Sequence, residues 1–255
     1  MQKHETMDDR TVVCVLGMHR SGTSLVTRLL NILGVYLGAD SHLIQARMDN
    51  PKGFWEHRGI QRLNDEILGR LGGSWAEMPA FRPGWECAPG IEDLRQRGRR
   101  IVNEDFRDAS IWGWKDPTTS VTLPFWQQLL PRMRYVICLR HPIDSARSLQ
   151  RRDGLSLEEG IDLWIKHVNL ALQHTSGGDR LLVFYEDVID DWRPVVRELA
   201  HFLGHPERGE DADVQRAVEA FIDGDLHHHR TSAADGVTLD LPNAVIASAR
   251  QAYDH

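Results

Sequence analysis

With 255 residues, 41% of them hydrophobic and 26% charged, the chain carries enough apolar material for one sizeable core and is too mixed to be disordered. Its formal net charge of −7 argues against a nucleic-acid partner, whose footprint is basic, so any polyanionic ligand has to be held by local groups. Three cysteines (Cys14, Cys87 and Cys138) with no CxxC pair point to a reducing compartment rather than a disulfide framework.

Residues 1–10 are polar and read as a flexible N-terminus without a leader pattern. No apolar run approaches the ~20 residues of a membrane helix, so a cytoplasmic location is expected. The first strand is predicted at Thr11–Leu16, continuously apolar as a strand covered on both faces should be. A helix over Thr23–Leu33 follows and ends at Gly34. A second, over Gly59–Leu71, places Ile60, Leu63, Ile67, Leu68 and Leu71 on one face. The stretch Ser74–Gly90 lacks periodicity and reads as a long loop, either a substrate lid or one packed down by Trp75 and Trp85. A basic helix is expected over Ile91–Phe106, then a weaker strand at Ile111–Lys115. Strands at Tyr135–Leu139 and Leu181–Tyr185 flank a helix over Leu157–Leu172, which opens on a Ser156–Glu159 capping box. Helices over Arg193–Leu203, closed by Gly204, and Asp213–Phe221 complete the order. Strands alternating with helices imply an α/β fold with a parallel sheet and right-handed crossovers, its ligand beyond the carboxyl ends of the strands. Residues 1–255 read as a single domain, with 205–255 as a C-terminal helical segment and tail.

The run Gly17-Met18-His19-Arg20-Ser21-Gly22-Thr23-Ser24 leaves a strand and opens a helix. That is the setting of a phosphate loop, in which backbone N–H groups and the helix N-terminus face an anion. Measured against GxxxxGK[ST], both glycines and Ser24 match, but Thr23 stands at the lysine position and Arg20 is the loop's strong cation. Triphosphatases present a metal-binding Asp at the end of a neighbouring strand; here the strand ending at Leu139 leads into Arg140. The pattern points to phosphate held directly, without a metal.

At these residues the chain resembles the sulfotransferases that use 3′-phosphoadenosine-5′-phosphosulfate (PAPS). His19 to Ser24 is similar to the family's 5′-phosphosulfate loop. Arg140-His141-Pro142, with Ser148 eight residues beyond the arginine, is similar to its 3′-phosphate motif. Val183-Phe184-Tyr185-Glu186-Asp187, running on to Phe202-Leu203-Gly204, resembles a third segment of the family. The resemblance spans about Thr11 to Gly204 and implies a P-loop-type sheet with helices on both faces. It implies PAPS as donor, a hydroxyl-bearing acceptor and no metal. The implied nucleotide contacts are His19, Arg20, Ser21, Gly22, Thr23, Ser24, Arg140, Ser148, Tyr185 (against adenine) and Arg230, the last over the 3′-phosphate. A guanidinium suits a terminal phosphate because it binds bidentately.

Lys115, in Trp114-Lys115-Asp116-Pro117, is the second candidate cation for the transferring group, with Arg20 the first. The His base of the small-molecule cytosolic branch is missing after Lys115. The tyrosylprotein and heparan branches use a Glu after the phosphate-loop helix, and Glu56 stands in that interval, with His57 in reserve. The alternative for Glu56 is a simple favourable charge at a helix N-terminus. His227-His228-His229 lacks convergent ligand spacing and is not read as a metal site. The tryptophans at 55, 75, 85, 112 and 114 suit either an acceptor ring or the core. Two rival functions stand beside the transferase: a P-loop kinase, which needs Mg²⁺, and a non-catalytic nucleotide-binding module, which has no use for Glu56 and Lys115 together. The acceptor is open among carbohydrate, peptidyl tyrosine, lipid headgroup and small metabolites.

Overall fold

The structure, a computed structural model, describes residues 10–46 and 53–222. Four parallel strands form the sheet: β1 (Thr11–Leu16), β2 (Ile111–Lys115), β3 (Arg134–Leu139) and β4 (Arg180–Phe184), in the order β2-β1-β3-β4. β1 is central because it is the most apolar run; its residues 12–16 are all buried. The sequence order of the strands is reversed about β1, so the crossovers diverge there and leave a crevice at the carboxyl ends of β1 and β3.

Nine α-helices lie among the described residues: α1 (Thr23–Ile32), α2 (Arg58–Arg70), α3 (Glu92–Asp105), α4 (Thr119–Leu129), α5 (Pro142–Asp153), α6 (Leu157–His174), α7 (Tyr185–Asp190), α8 (Trp192–Leu203) and α9 (Ala212–Ile222). Helices cover both faces of the sheet. One hydrophobic layer takes alternate strand residues such as Cys14, Leu16 and Ile137 with α2, α3, α4 and α6; the other takes Val13, Val15 and Val136 with α1, α8 and α9. Alternation of strand side chains divides the two cores. The Ser156–Glu159 capping box opens α6 with both of its hydrogen bonds, and Gly204 closes α8 in the left-handed region. Cys14 and Cys138 are buried. Among the described residues, no helix is long and apolar enough to cross a membrane.

Two local readings change. Tyr185 opens α7 instead of ending β4. The whole of α4 escapes the periodicity, because Thr119, Ser120, Val121, Thr122, Leu123, Phe125 and Trp126 are all buried and Pro124 sits inside it. A helix buried on nearly every side until its last turn shows no amphipathic stripe. It is held by Asn64 of α2. The Asn64 amide donates to Asp116 Oδ2 (2.7 Å) and Thr119 Oγ1 (3.0 Å), and its oxygen accepts from Thr122 Oγ1 and Trp126 Nε1 (both 2.8 Å). Asn64→Ala leaves several buried polar groups unpaired at roughly 1–3 kcal/mol each, so a loss of about 3 kcal/mol is expected, read as a lower urea midpoint. An unchanged midpoint would contradict this role.

Phe106, Trp112, Trp114 and Trp126 form a continuous ring stack with centroid separations of 4.4, 5.8 and 5.0 Å. Trp112 and Trp114 are therefore core residues. The loop after α2 is packed down through Trp85, which is buried against Phe81 at 5.1 Å.

Candidate active site

The loop between β1 and α1 turns on three residues with positive φ: Gly17 (139°), Arg20 (66°) and Gly22 (82°). A Cβ on Gly17 would meet the Cys138 carbonyl at 2.6 Å, and one on Gly22 would meet the Tyr185 ring at 2.5 Å. The loop thus fits against β3 and α7 only as bare backbone. Gly17 N donates to Ser120 Oγ (3.0 Å), so the α4 that periodicity misses anchors the loop. Arg20 is a non-glycine residue in the left-handed region, strain of the kind found at binding sites.

Arg140 follows β3 and is only 8% exposed. Its guanidinium lies 4.5 Å from the Tyr185 ring centroid and donates to the Arg20 carbonyl at 3.2 Å. Its Nε is buried without a partner, and among the described residues no carboxylate lies within ion-pair distance of it. A buried cation without an anion is costly, and an anionic ligand is the natural remedy. The turn into α5 is fixed by Glu186, whose Oε1 accepts from His141 N at 2.8 Å; sequence reading placed Glu186 inside a motif without a role. Ser148, expected to reach the same phosphate as Arg140, accepts from Arg20 Nε at 2.8 Å, and Ser21 Oγ lies 3.4 Å from Ser145 Oγ. Serines of α5 therefore hold the loop in place. Burial raises the Tyr185 phenol, with Arg140 pulling the other way.

Lys115 ends β2 and is 2% exposed. Its Nζ donates to Glu56 Oε1 at 2.5 Å and to Ser24 Oγ at 3.1 Å, in the first turn of α1. One ammonium thus joins a carboxylate to the phosphate-loop helix. Glu56 is brought in by a chain turn with positive φ at Gly53 (90°) and Trp55 (56°), and the Glu56 carbonyl accepts from Ile44 N at 2.9 Å. Trp55 lies under Arg28, 4.6 Å from its guanidinium.

His57 faces elsewhere. Its Nδ1 caps α2 by accepting from Ile60 N (3.4 Å), and its Nε2 lies 3.2 Å from Asp105, so the reserve candidate for a base is turned away from Lys115. Burial lowers His57 to about 4, against the partial opposition of Asp105. The His19 ring lies 4.5 Å from Trp75 and forms part of the loop wall, its Nε2 buried and unpartnered. Asp116, beside Lys115, is raised to about 7, first by burial and then by the charge of Glu56. Arg230 and His227–His229 lie outside the described residues.

Four histidines are lowered by burial: His57 and His167 to about 4, and His19 and His174 in the same direction. At His57 and His167 the native state refuses protons that the unfolded chain, with histidine near 6.5, binds between that value and about 4, and His19 and His174 act in the same direction. Stability therefore falls as pH drops through this window, by up to about 1.4 kcal/mol per pH unit for each such histidine. Asp116 acts in the opposite sense between about pH 4 and 7, as one group against four. A urea midpoint lower at pH 5 than at pH 7 is expected; an equal or higher one would contradict the burial of these rings.

The phosphate-type loop, Arg140 and Lys115 stand at the carboxyl ends of β1, β3 and β2 of a P-loop-type α/β fold. Residues 13–209 match the sulfotransferase family, and the chain belongs to that family, whose enzymes use PAPS. The sulfotransferase domain of the Synechococcus PCC 7002 olefin synthase superposes with a TM-score of 0.53 at 15% identity, over 97% of this chain and 98% of that one. The sulfotransferase domain from the curacin biosynthetic pathway gives 0.51 at 16% identity, over 80% and 76%. At such identities the likeness is one of fold. No curated protein matches by sequence.

Proposed function

We propose that the chain transfers the sulfuryl group of PAPS to a hydroxyl of an acceptor, with release of 3′-phosphoadenosine-5′-phosphate (PAP). The observation that carries this reading is the buried Glu56–Lys115–Ser24 cluster beside the phosphate loop, a base and a cation joined across 59 residues of sequence. PAPS supplies an activated sulfuryl group on a phosphate leaving group.

The chain's own residues supply the rest. The fit to a bisphosphorylated nucleotide rests on the orphaned Arg140 Nε and on a loop that admits no side chain at Gly17 or Gly22. Arg140 holds the 3′-phosphate, and Tyr185, whose face it covers, lies against adenine. Arg20, Ser21, Gly22, Thr23 and Ser24 hold the 5′ end, where loop amides and Arg20 meet the charge that grows on the leaving group. Lys115 offers its ammonium to the same oxygens. Glu56 receives the acceptor's hydroxyl proton as the new S–O bond forms. This arrangement is nearer the Glu-base tyrosylprotein and carbohydrate branch than the His-base branch. Transfer then depends on positioning and electrostatics.

The test is incubation with ³⁵S-labelled PAPS in EDTA, with oligosaccharides, tyrosine peptides and hydroxylated metabolites as acceptors. Acceptor-dependent release of PAP with label on the acceptor is expected. Phosphoryl transfer from Mg²⁺–ATP, with PAPS left intact, would overturn the reading in favour of a kinase.

A further inference from the structure

Some distance along the chain from the phosphate loop, three segments bring metal-ligating atoms together. His42 lies in a short 3₁₀ turn (Asp40–His42), His57 caps α2, and Asp105 ends α3. His42 Nδ1 is 3.2 Å from Asp105 Oδ1, and His57 Nε2 is 3.2 Å from Asp105 Oδ2. The three ligand atoms all lie within 4.8 Å of one another. A tetrahedral ion with bonds of about 2.0–2.1 Å sets its ligand atoms about 3.3 Å apart; each histidine nitrogen already stands near that distance from a different Asp105 oxygen, so the carboxylate has to turn for one oxygen to serve both.

A second observation points the same way. His57 is 3% exposed, and among the described residues its Nε2 has only a poorly aligned contact with Asp105 Oδ2 at 3.2 Å. The ring is held in a tailored slot. A Cβ on Gly38 would come within 2.9 Å of its Cδ2 and one on Gly59 within 3.2 Å of its Cε1, while the Phe106 ring lies 5.2 Å away. The chain thus fixes a buried imidazole with one nitrogen weakly partnered, aimed at a carboxylate that a second imidazole also meets. His42 is 46% exposed, which leaves a side open for entry and for a water ligand.

We propose that His42, His57 and Asp105 bind one divalent zinc-class ion, with water as the fourth ligand. Two imidazoles and one carboxylate suit a borderline ion such as Zn²⁺ better than Ca²⁺ or Mg²⁺, which take oxygen ligands. Coordination through Nε2 moves the His57 proton to Nδ1, so the long contact from Ile60 N is exchanged for a metal bond. The ion's role is structural: it ties the 36–46 segment, the start of α2 and the end of α3 together. Leu43 pairs with His57 across an isolated antiparallel bridge, and Ile44 N bonds the Glu56 carbonyl, so the tie lies directly behind Glu56. The site does not depend on the sulfuryl-transfer reading and takes no part in that chemistry.

The test is calorimetric titration of the full chain with Zn²⁺ and, separately, the visible d–d spectrum with Co²⁺. Three variants accompany the wild type: His42→Ala and Asp105→Asn, both at partly exposed positions, and a chain with His227, His228 and His229 replaced by Ala. One ion per chain is expected in the wild type and the triple variant, with a four-coordinate Co²⁺ spectrum and an upward shift in melting temperature. Affinity should fall by at least about 10–100-fold in His42→Ala and Asp105→Asn, since loss of even an outer-shell partner costs that much. Circular dichroism is the check that the two single variants are folded. Binding that survives in His42→Ala but vanishes in the triple variant would assign the ion to residues 227–229 and overturn the proposal. So would a six-coordinate Co²⁺ spectrum, or no binding at all.

Discussion

Glu56→Gln is expected to lower kcat by about 10²–10⁴ while leaving affinity for PAP close to that of the wild type, because a positioned base contributes that much to a proton transfer. The substitution is nearly isosteric and keeps an oxygen for Lys115 Nζ to donate to, so the buried contact at 2.5 Å is altered in charge more than in shape. Lys115 keeps its second bond, to Ser24 Oγ. A structural Glu56 predicts another pattern: lower thermal stability, weakened PAP binding and unchanged turnover per folded molecule. The readouts are single-turnover rate, PAP affinity and melting temperature on the same preparation. Loss of rate with the other two preserved assigns the base. Full activity in a folded Glu56→Gln would remove it.

Arg140→Ala is expected to weaken PAP by about 10–150-fold, the equivalent of the roughly 1.5–3 kcal/mol of a hydrogen bond to a charged group. Affinity for 5′-AMP, which lacks the 3′-phosphate, should change much less. The guanidinium has few other duties: a bond to the Arg20 carbonyl and the face of Tyr185. The Arg20 carbonyl contact raises a specific alternative, that Arg140 acts by bracing the loop. In that case PAP and AMP lose affinity equally, and the ratio of the two constants separates the explanations. Arg140→Lys should recover part of the loss, since it keeps charge but not the bidentate fork.

Much of the architecture was legible because the signals were local. β1, β3 and β4 are short apolar runs, and the sheet buries them on both faces. The phosphate loop declares itself by two glycines at fixed spacing, and both prove to stand where a side chain would collide. The capping box of α6 is readable from two residues. What escaped is long-range or amphipathically silent. α4 shows no amphipathic stripe, so its periodicity carries nothing, yet its Ser120 holds Gly17. Asn64 sits in a helix whose apolar stripe was easy to see, but its four hydrogen bonds go to partners 52–62 residues away. The 59-residue separation of Glu56 and Lys115 hides their pairing in the same way, and the residue types alone do not bring His42 to Asp105. The bond between Ser148 and Arg20 is hidden for a related reason. Position on α5 put it near Arg140, and only the left-handed turn at Arg20 brings a different arginine onto its hydroxyl.

In the proposed function this loop and Arg140 together read a bisphosphorylated adenosine without a metal. Calorimetry of the wild-type chain in EDTA with PAP and with 5′-AMP, and in Mg²⁺ with ATP, tests it most directly. PAP is expected to bind in EDTA at least ~10-fold more tightly than AMP, by the contribution of one charged hydrogen-bonding group, and more tightly than Mg²⁺–ATP. Equal affinities for PAP and AMP, or a preference for Mg²⁺–ATP, would contradict it.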